Sequence, residues 1–366
     1  MIRVLQIVST LGCVSGTTMV ALNWHRNIDR EKIQFDYLYF KDVPMNYEKE
    51  IESMGGKCYK MPYPSLLKPW IFIKAVKDFF KNHKYNTIHS HVIHLNFFFY
   101  PIAKFYGVRN IVQHSHNPKY SDKVLSGLRN KILLFFVRPF ITKKLACSNL
   151  AGKFMFKKDY IVINNGINIE KFKFNQEIRN GIRKELNVVN KFVIGMVGRF
   201  EIQKNYLFFI EVFNEINKKN KNSILVLVGR GSLKEQIVKQ VEKLKLKNNV
   251  IFLDVRHDID KIYQAIDCFV LPSLFEGLGI VAIEAQCSGL PCFISDGVPD
   301  EAMICNTTKI PLSKTAKEWS NIILEKTKNF ERKDCSDFIK KANFDVQETT
   351  KKVQNIYLDL SGIKNV

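Results

Sequence analysis

Short apolar runs of β character alternate with helical stretches along nearly the whole chain. A chain patterned this way can bury its apolar faces as a parallel α/β sheet covered by helices. In the first half, strands are expected near 2–8, 33–40, 57–60, 86–89, 110–113, 144–147 and 160–163, with helices such as 17–28, 69–82, 94–106 and 125–143 between them. Asn164-Asn165-Gly166 breaks the alternation, and a polar, charge-rich stretch continues to Asn190. A second series follows, with strands near 192–197, 224–228, 250–253, 268–271 and 291–294 and helices including 205–218, 232–245 and 279–288. The expectation is an α/β protein of two doubly wound Rossmann-like domains, 1–165 and 166–345, with a C-terminal helical segment, 346–366, packing back on the first. Ligands of such sheets bind outside the carboxyl ends of the strands, so the two domains are expected to face an interdomain cleft.

A length of 366 residues suits two domains of ordinary size, and 46% apolar content argues against disorder. No run approaches the roughly 18 apolar residues of a membrane span, and Met1-Ile2-Arg3-Val4-Leu5-Gln6-Ile7-Val8 begins as a strand, not a secretory signal. Eight scattered cysteines without a Cys-x-x-Cys pair read as reduced, small hydrophobes, and the expected location is the cytoplasm. Net charge is +21 and unevenly spread: 25 Lys and Arg face 10 Asp and Glu through residue 165, against 31 and 25 afterwards. That bias suits an anionic surface, phospholipid or nucleic acid, although lysines on solvated faces account for it equally well.

The nonapeptide Glu276-Gly277-Leu278-Gly279-Ile280-Val281-Ala282-Ile283-Glu284 sets two carboxylates on either side of a glycine turn that runs into a helix. The turn lets backbone approach a ligand, the helix start offers N–H groups to phosphate, and a carboxylate about two turns on can accept sugar hydroxyls. Upstream, strand 192–197 ends in Gly198-Arg199-Phe200-Glu201-Ile202-Gln203-Lys204-Asn205. Arg199 and Lys204 then stand near a helix start, where the macrodipole opposes cations unless an anion lies between them. Gly229-Arg230-Gly231-Ser232 is a weaker turn of the same kind without a Walker-type Lys-Ser/Thr. The first turn, Gly12-Cys13-Val14-Ser15-Gly16-Thr17-Thr18, is not a Gly-x-Gly-x-x-Gly fingerprint, which weighs against a dehydrogenase.

Five of the eight histidines fall between His89 and His116. The pairs His89/His91 and His114/His116 each project from one strand face. Such pairs can bind metal, but no Asp or Glu lies between Asp78 and Asp122 and no Cys joins them. Imidazoles lining the ligand site, or hydrogen-bonded structural histidines (His89, His94 and one of His114 and His116), are the alternatives. Residues 131–144 are apolar between cations and, with the aromatic run 97–106, suit either an interfacial helix or core packing.

Taken together, these residues resemble the retaining nucleotide-sugar glycosyltransferases of family 4, which have the GT-B fold, and more narrowly the bacterial exopolysaccharide and capsule transferases. The resemblance covers almost the whole chain. Glu276 and Glu284 match the E-x7-E signature, and Arg199 and Lys204 match the diphosphate-binding pair. Asn164-Asn165-Gly166-Ile167 matches the interdomain Asn-Gly, and His114-Ser115-His116-Asn117 the first-domain His-Ser-His-Asn; Ala146-Cys147-Ser148 and Ile294-Ser295-Asp296 are also typical. The resemblance implies an acceptor-binding first domain and a nucleotide-sugar-binding second domain. It implies that Arg199, Lys204, Glu276 and His116 act in catalysis, and that Gly16, Arg199, Lys204, Glu276, Gly277, Leu278, Gly279 and Glu284 bind the donor, commonly a UDP-sugar. Glu276 would hold the sugar and Glu284 the ribose. It further implies no metal and no other cofactor, a lipid-linked saccharide acceptor, no nucleic acid, and peripheral association with the inner face of the plasma membrane.

One departure stands out. Relatives carry Gly-Gly and then an acid in the first turn, whereas here Ser15 replaces one glycine, Thr18 or its neighbour replaces the acid, and only Gly16 is retained. The alternatives are a nucleotide-sugar epimerase on the same fold, which needs carboxylates on both sides of the sugar, and a non-catalytic partner subunit. A nucleic-acid binder explains only the charge.

Overall fold

The computed structural model describes residues 1–12, 15–43, 45–64, 68–93, 95–119 and 124–363. The chain divides into two compact units, Met1–Gly166 with Val346–Val366, and Ile167–Asp345. In the first unit the described strands are β1 (Ile2–Ile7), β2 (Ile33–Tyr39), β3 (Cys58–Lys60), β4 (Thr87–Ser90), β5 (Asn110–Ser115), β6 (Lys143–Ala146) and β7 (Ile161–Val162). They form one parallel sheet in the order β3-β2-β1-β4-β5-β6-β7. The strand order reverses at β1 and β4, where Gln6 lies opposite His89 and Ile7 opposite Ser90. At such a switch point the connections leave in opposite directions, opening a crevice at the carboxyl ends.

The second unit repeats the plan. Its described strands are β8 (Phe192–Val197), β9 (Ser223–Val228), β10 (Val250–Leu253), β11 (Cys268–Leu271), β12 (Cys292–Ser295) and β13 (Thr307–Ile310). The sheet is parallel in the order β10-β9-β8-β11-β12-β13, with its switch point between β8 and β11. β9, Ser223 to Val228, is buried along its full length, which is why it reads as an unbroken apolar run. Helices cover both faces of a parallel sheet, so no alternation is needed.

The C-terminal helix Val346–Leu360 packs on the helix Gly16–Asn27, burying Val353, Ile356 and Tyr357 with Trp24 and Phe35. A Cβ at Gly166 would lie 2.6 Å from Val346 Cα, so glycine there permits this approach.

Three local expectations are corrected. The helix expected over 125–143 is Val124–Val137; Pro139 sits in a 3-10 turn, Arg138–Phe140, and β6 starts at Lys143. Proline lacks the N–H that a continuing helix needs. The polar stretch before Asn190, read only as the join between the series, holds a helix, Gln176–Glu185, capped by the Asn175 side chain. Tertiary partners hold it: Arg179 and Arg183 both reach Asp267. Finally, Cys305 and Cys335 form a disulfide across 30 residues, a pairing that spacing alone does not reveal. Cys58, Cys147, Cys268, Cys287 and Cys292 stand outside that disulfide.

Candidate active site

In the second unit, the residues expected to meet a nucleotide sugar come from both sides of the switch point. Arg199 follows β8, and the loop bearing Glu276 follows β11. The Lys204 ammonium pairs with Glu276 Oε1 at 2.7 Å, with both side chains largely buried. Ser273 Oγ donates to the same oxygen at 2.6 Å. Gln203 links the two loops: its Nε2 donates to Phe275 O at 3.0 Å and approaches Glu276 Oε2 at 3.4 Å, and its backbone carbonyl accepts from Leu274 N. The Gln203 Oε1 accepts from exposed Arg199 at 3.4 Å. Arg199, Gln203, Lys204 and Glu276 therefore form one connected group in which only Glu276 is acidic.

The end of β12 supports this loop from below. Ser295 Oγ donates to Ser273 O at 2.5 Å, and Glu276 N donates to Gly297 O at 2.8 Å. A Cβ at Gly297 would fall 2.5 Å from the carbonyls of Ser273 and Leu274, so the two backbones touch. Gly279, at φ +83°, is the N-cap of the helix Ile280–Cys287, a left-handed conformation that glycine adopts without strain. Gly277 is buried. The Leu278 side chain is buried in the core, so only its backbone is available to a ligand.

Glu284 is the fifth residue of that helix, little more than one turn in and not two. Its Oε2 accepts from Tyr263 at 3.0 Å. Desolvation raises its pKa to about 7, only partly opposed by the Tyr263 hydrogen bond. The turn Gly229–Ser232 is a structural contact: a Cβ at Gly229 would meet Gly198 O at 2.0 Å, and Ser232 donates to the Glu201 carboxylate.

In the first unit, the histidines gather at the carboxyl ends of β4 and β5. His89, His91 and His114 are buried, His116 is half-buried, and Trp24 stacks against His89 and His114. His116 Nε2 lies 2.8 Å from His91 Nδ1, and His91 Nε2 lies 2.9 Å from Gln6 Oε1. Burial depresses all four imidazoles, His89 and His116 to about 3. Ligand nitrogens of His89, His91 and His114 lie within 4.8 Å of one another, a spacing short enough for one metal ion. Both His91 nitrogens are already engaged, so a metal there would have to displace Gln6 or His116. His94 lies outside the described residues, as do Cys13 and Val14 of the first turn.

The replacements in that turn have a local explanation. Ser15 is the N-cap of the helix Gly16–Asn27, accepting from Thr18 N, and Thr18 Oγ1 donates to Thr10 O. Ser15 has φ −90°, where glycine has no advantage. Gly16 opens the helix, and a Cβ there would meet nothing within 4 Å among the described residues. Sequence reasoning missed Gln203, Ser273, Tyr263, Gln6 and Tyr357 as partners of these groups. Gln203 stood inside a motif that had been singled out; the others carry no local signal.

Residues 178–342 match the family model for glycosyl transferases group 1. A putative glycosyltransferase, EpsF of Bacillus subtilis (strain 168), is 30% identical over 97% of this chain and 96% of its own length. The UDP-Gal:alpha-D-GlcNAc-diphosphoundecaprenol alpha-1,3-galactosyltransferase of Escherichia coli is 28% identical over 81% of each. Among solved structures, Anabaena Alr3699/HepE in complex with UDP and glucose superposes with a TM-score of 0.78 at 20% identity, covering 98% of this chain and 99% of that one. The fold is that of the GT-B glycosyltransferases. The chain belongs to the group 1 glycosyl transferases.

Proposed function

We propose that this protein is a retaining glycosyltransferase of family 4 that moves a hexosyl or N-acetylhexosaminyl group from a UDP-sugar to a lipid-linked or nascent surface polysaccharide. The observation that carries this reading is the connected group Arg199, Gln203, Lys204 and Glu276 at the switch point of the second sheet. Two cations held there match a leaving diphosphate, and stabilising that charge as it develops is the main contribution such a site can make. When the diphosphate engages Lys204, Glu276 is released to accept hydroxyls of the donor sugar, while Glu284 takes the ribose and the backbone of residues 277–279 approaches the phosphates. Gly16 leaves room for the donor in the first unit, and His116 bonds a hydroxyl of the sugar or acceptor. The acceptor hydroxyl attacks the oxocarbenium-like sugar from the face the diphosphate leaves, with a donor phosphate oxygen taking its proton. No step requires a metal.

The UDP complexes of Alr3699/HepE support the choice of nucleotide, and the diphosphoundecaprenol acceptor in the name of the E. coli relative supports a lipid-linked one. A further feature supports work at the inner membrane face. On the helix Val124–Val137, Leu125, Leu128, Ile132, Phe135 and Phe136 are all exposed and fall on one stripe about 100° wide, bordered by Arg129 and Lys131. Exposed apolar stripes of this kind bind bilayer interfaces, aided by cations. No described helix is long and apolar enough to cross a membrane.

The test is transfer from a panel of UDP-, GDP- and ADP-sugars to a diphosphoundecaprenol-linked saccharide, with EDTA present. Transfer from one UDP-sugar with retained anomeric configuration meets the proposal; an inverted product or a strict metal requirement overturns it. Binding to anionic vesicles that weakens with salt and is lost in Leu128→Glu is expected for the membrane part.

A further inference from the structure

The four histidines, Gln6 and Tyr357 form two hydrogen-bonded chains that meet at a single hydroxyl. The Tyr357 oxygen, on the C-terminal helix, lies 3.0 Å from Gln6 Nε2 and 2.5 Å from His89 Nδ1. One chain runs from Tyr357 through Gln6 and His91 to His116. The other runs from Tyr357 through His89 to His114, whose Nδ1 lies 3.3 Å from His89 Nε2 and whose Nε2 is buried with no hydrogen-bond partner among the described residues. Gln6, His89, His91, His114 and Tyr357 are all at least nine-tenths buried, so water does not set their protonation pattern.

A neutral imidazole has one donor and one acceptor nitrogen, and an amide has one donating and one accepting end. These rules make the direction of each chain an all-or-none property. With Gln6 Nε2 donating to Tyr357, Gln6 Oε1 must accept, so His91 carries its proton on Nε2. His91 Nδ1 then accepts from His116, which carries its proton on Nε2. His116 Nδ1 is left as the acceptor. Rotating the Gln6 amide would reverse every bond in that chain and turn His116 Nδ1 into a donor. It would also require Tyr357 to donate to Gln6 and accept from His89, so the hydroxyl links the direction of both chains.

We propose that Gln6 and Tyr357 are positioning residues that hold His116 in the tautomer with Nε2 protonated and Nδ1 free to accept a hydrogen bond from a substrate hydroxyl. The substrate contact rests on the reading of His116 given under Proposed function; the tautomer itself does not. The C-terminal helix thereby has a chemical role in the first unit beyond covering its sheet. The low basicity of the buried imidazoles is consistent with neutral rings throughout.

The test is long-range nitrogen–proton correlation spectroscopy of the histidine rings in the full chain, with His116→Asn used to assign the signals. The wild type is expected to show a single His116 tautomer, protonated on Nε2. In Tyr357→Phe the Gln6 amide loses its partner, and His116 is expected to show both tautomers; Gln6→Met, which removes the amide, should do the same. A wild-type His116 protonated on Nδ1 would overturn the proposal without any variant. An unchanged single tautomer in folded Tyr357→Phe would also overturn it. In transfer assays Tyr357→Phe should lower kcat with little change in donor KM. If the tautomer responds as expected while His116→Asn transfers normally, the relay stands and the substrate role of His116 falls.

Discussion

Lys204 Nζ lies 2.7 Å from Glu276 Oε1 although 72 residues separate them in the chain. The sequence assigns Lys204 to phosphate and Glu276 to sugar, yet each is the other's charge partner. Because both are largely buried, separating them without a replacement partner is costly.

Breaking this pair from one side should leave a poorly solvated charge. Glu276→Ala is expected to cost about 3 kcal/mol, and Glu276→Gln, which can keep the Ser273 contact, about 1 kcal/mol. Both should reduce transfer by about 100-fold or more. Exposed Arg199, which donates to Gln203 Oε1 at 3.4 Å, should behave differently. Arg199→Ala is expected to leave stability within about 0.5 kcal/mol while transfer falls comparably. Urea unfolding beside a transfer assay separates the two effects, and a stable Glu276→Gln with normal turnover would remove Glu276 from the site.

Gly16→Ala should fold as well as the parent or gain up to about 0.5 kcal/mol, since the added methyl meets nothing among the described residues and alanine favours helix. A lower donor affinity in this variant, read by calorimetry, would show that ligand occupies the open space. Unchanged affinity would exclude Gly16 from donor binding.

Glu284 should make donor binding depend on pH. A group titrating at about 7 is substantially protonated at pH 6, so binding to the carboxylate should strengthen as pH rises through 7. Glu284→Gln should flatten that profile, and Tyr263→Phe, which removes a hydrogen bond to the charged form, should move it to higher pH. The stability effect has the opposite sign. Because the folded state holds this proton more tightly than the unfolded chain, the contribution of Glu284 to stability falls as pH rises from about 4.5 to about 7.

The buried histidines predict acid sensitivity in the first unit. His89, His91 and His114 have folded-state pKa values depressed below 6.5, so the unfolded chain binds protons first. Their contribution is fully present above about 6.5 and declines below it, each by up to about 1.4 kcal/mol per pH unit. Hydrogen exchange at pH 7 and pH 5 should show protection lost sooner around β4 and β5 than around β8 and β9.

Much of this protein follows from local pattern. Apolar strands such as β9 and the alternation with helices specify two parallel sheets, because strand and helix periodicity and burial are properties of neighbouring residues. The Arg199, Lys204, Glu276 and Glu284 motifs are equally local, since each belongs to one strand–turn–helix. What the chain does not display is who meets whom across long separations. Tertiary structure alone turned Lys204 and Glu276 into a pair, brought Gln203 against Phe275 and Glu276, and joined Cys305 to Cys335. It also carried Tyr357 to Gln6, 351 residues away, and so linked the last helix to the direction of the histidine chains. Local sequence encodes conformational preference, whereas the partner of a buried polar group is decided by packing, which places distant donors and acceptors where water is excluded.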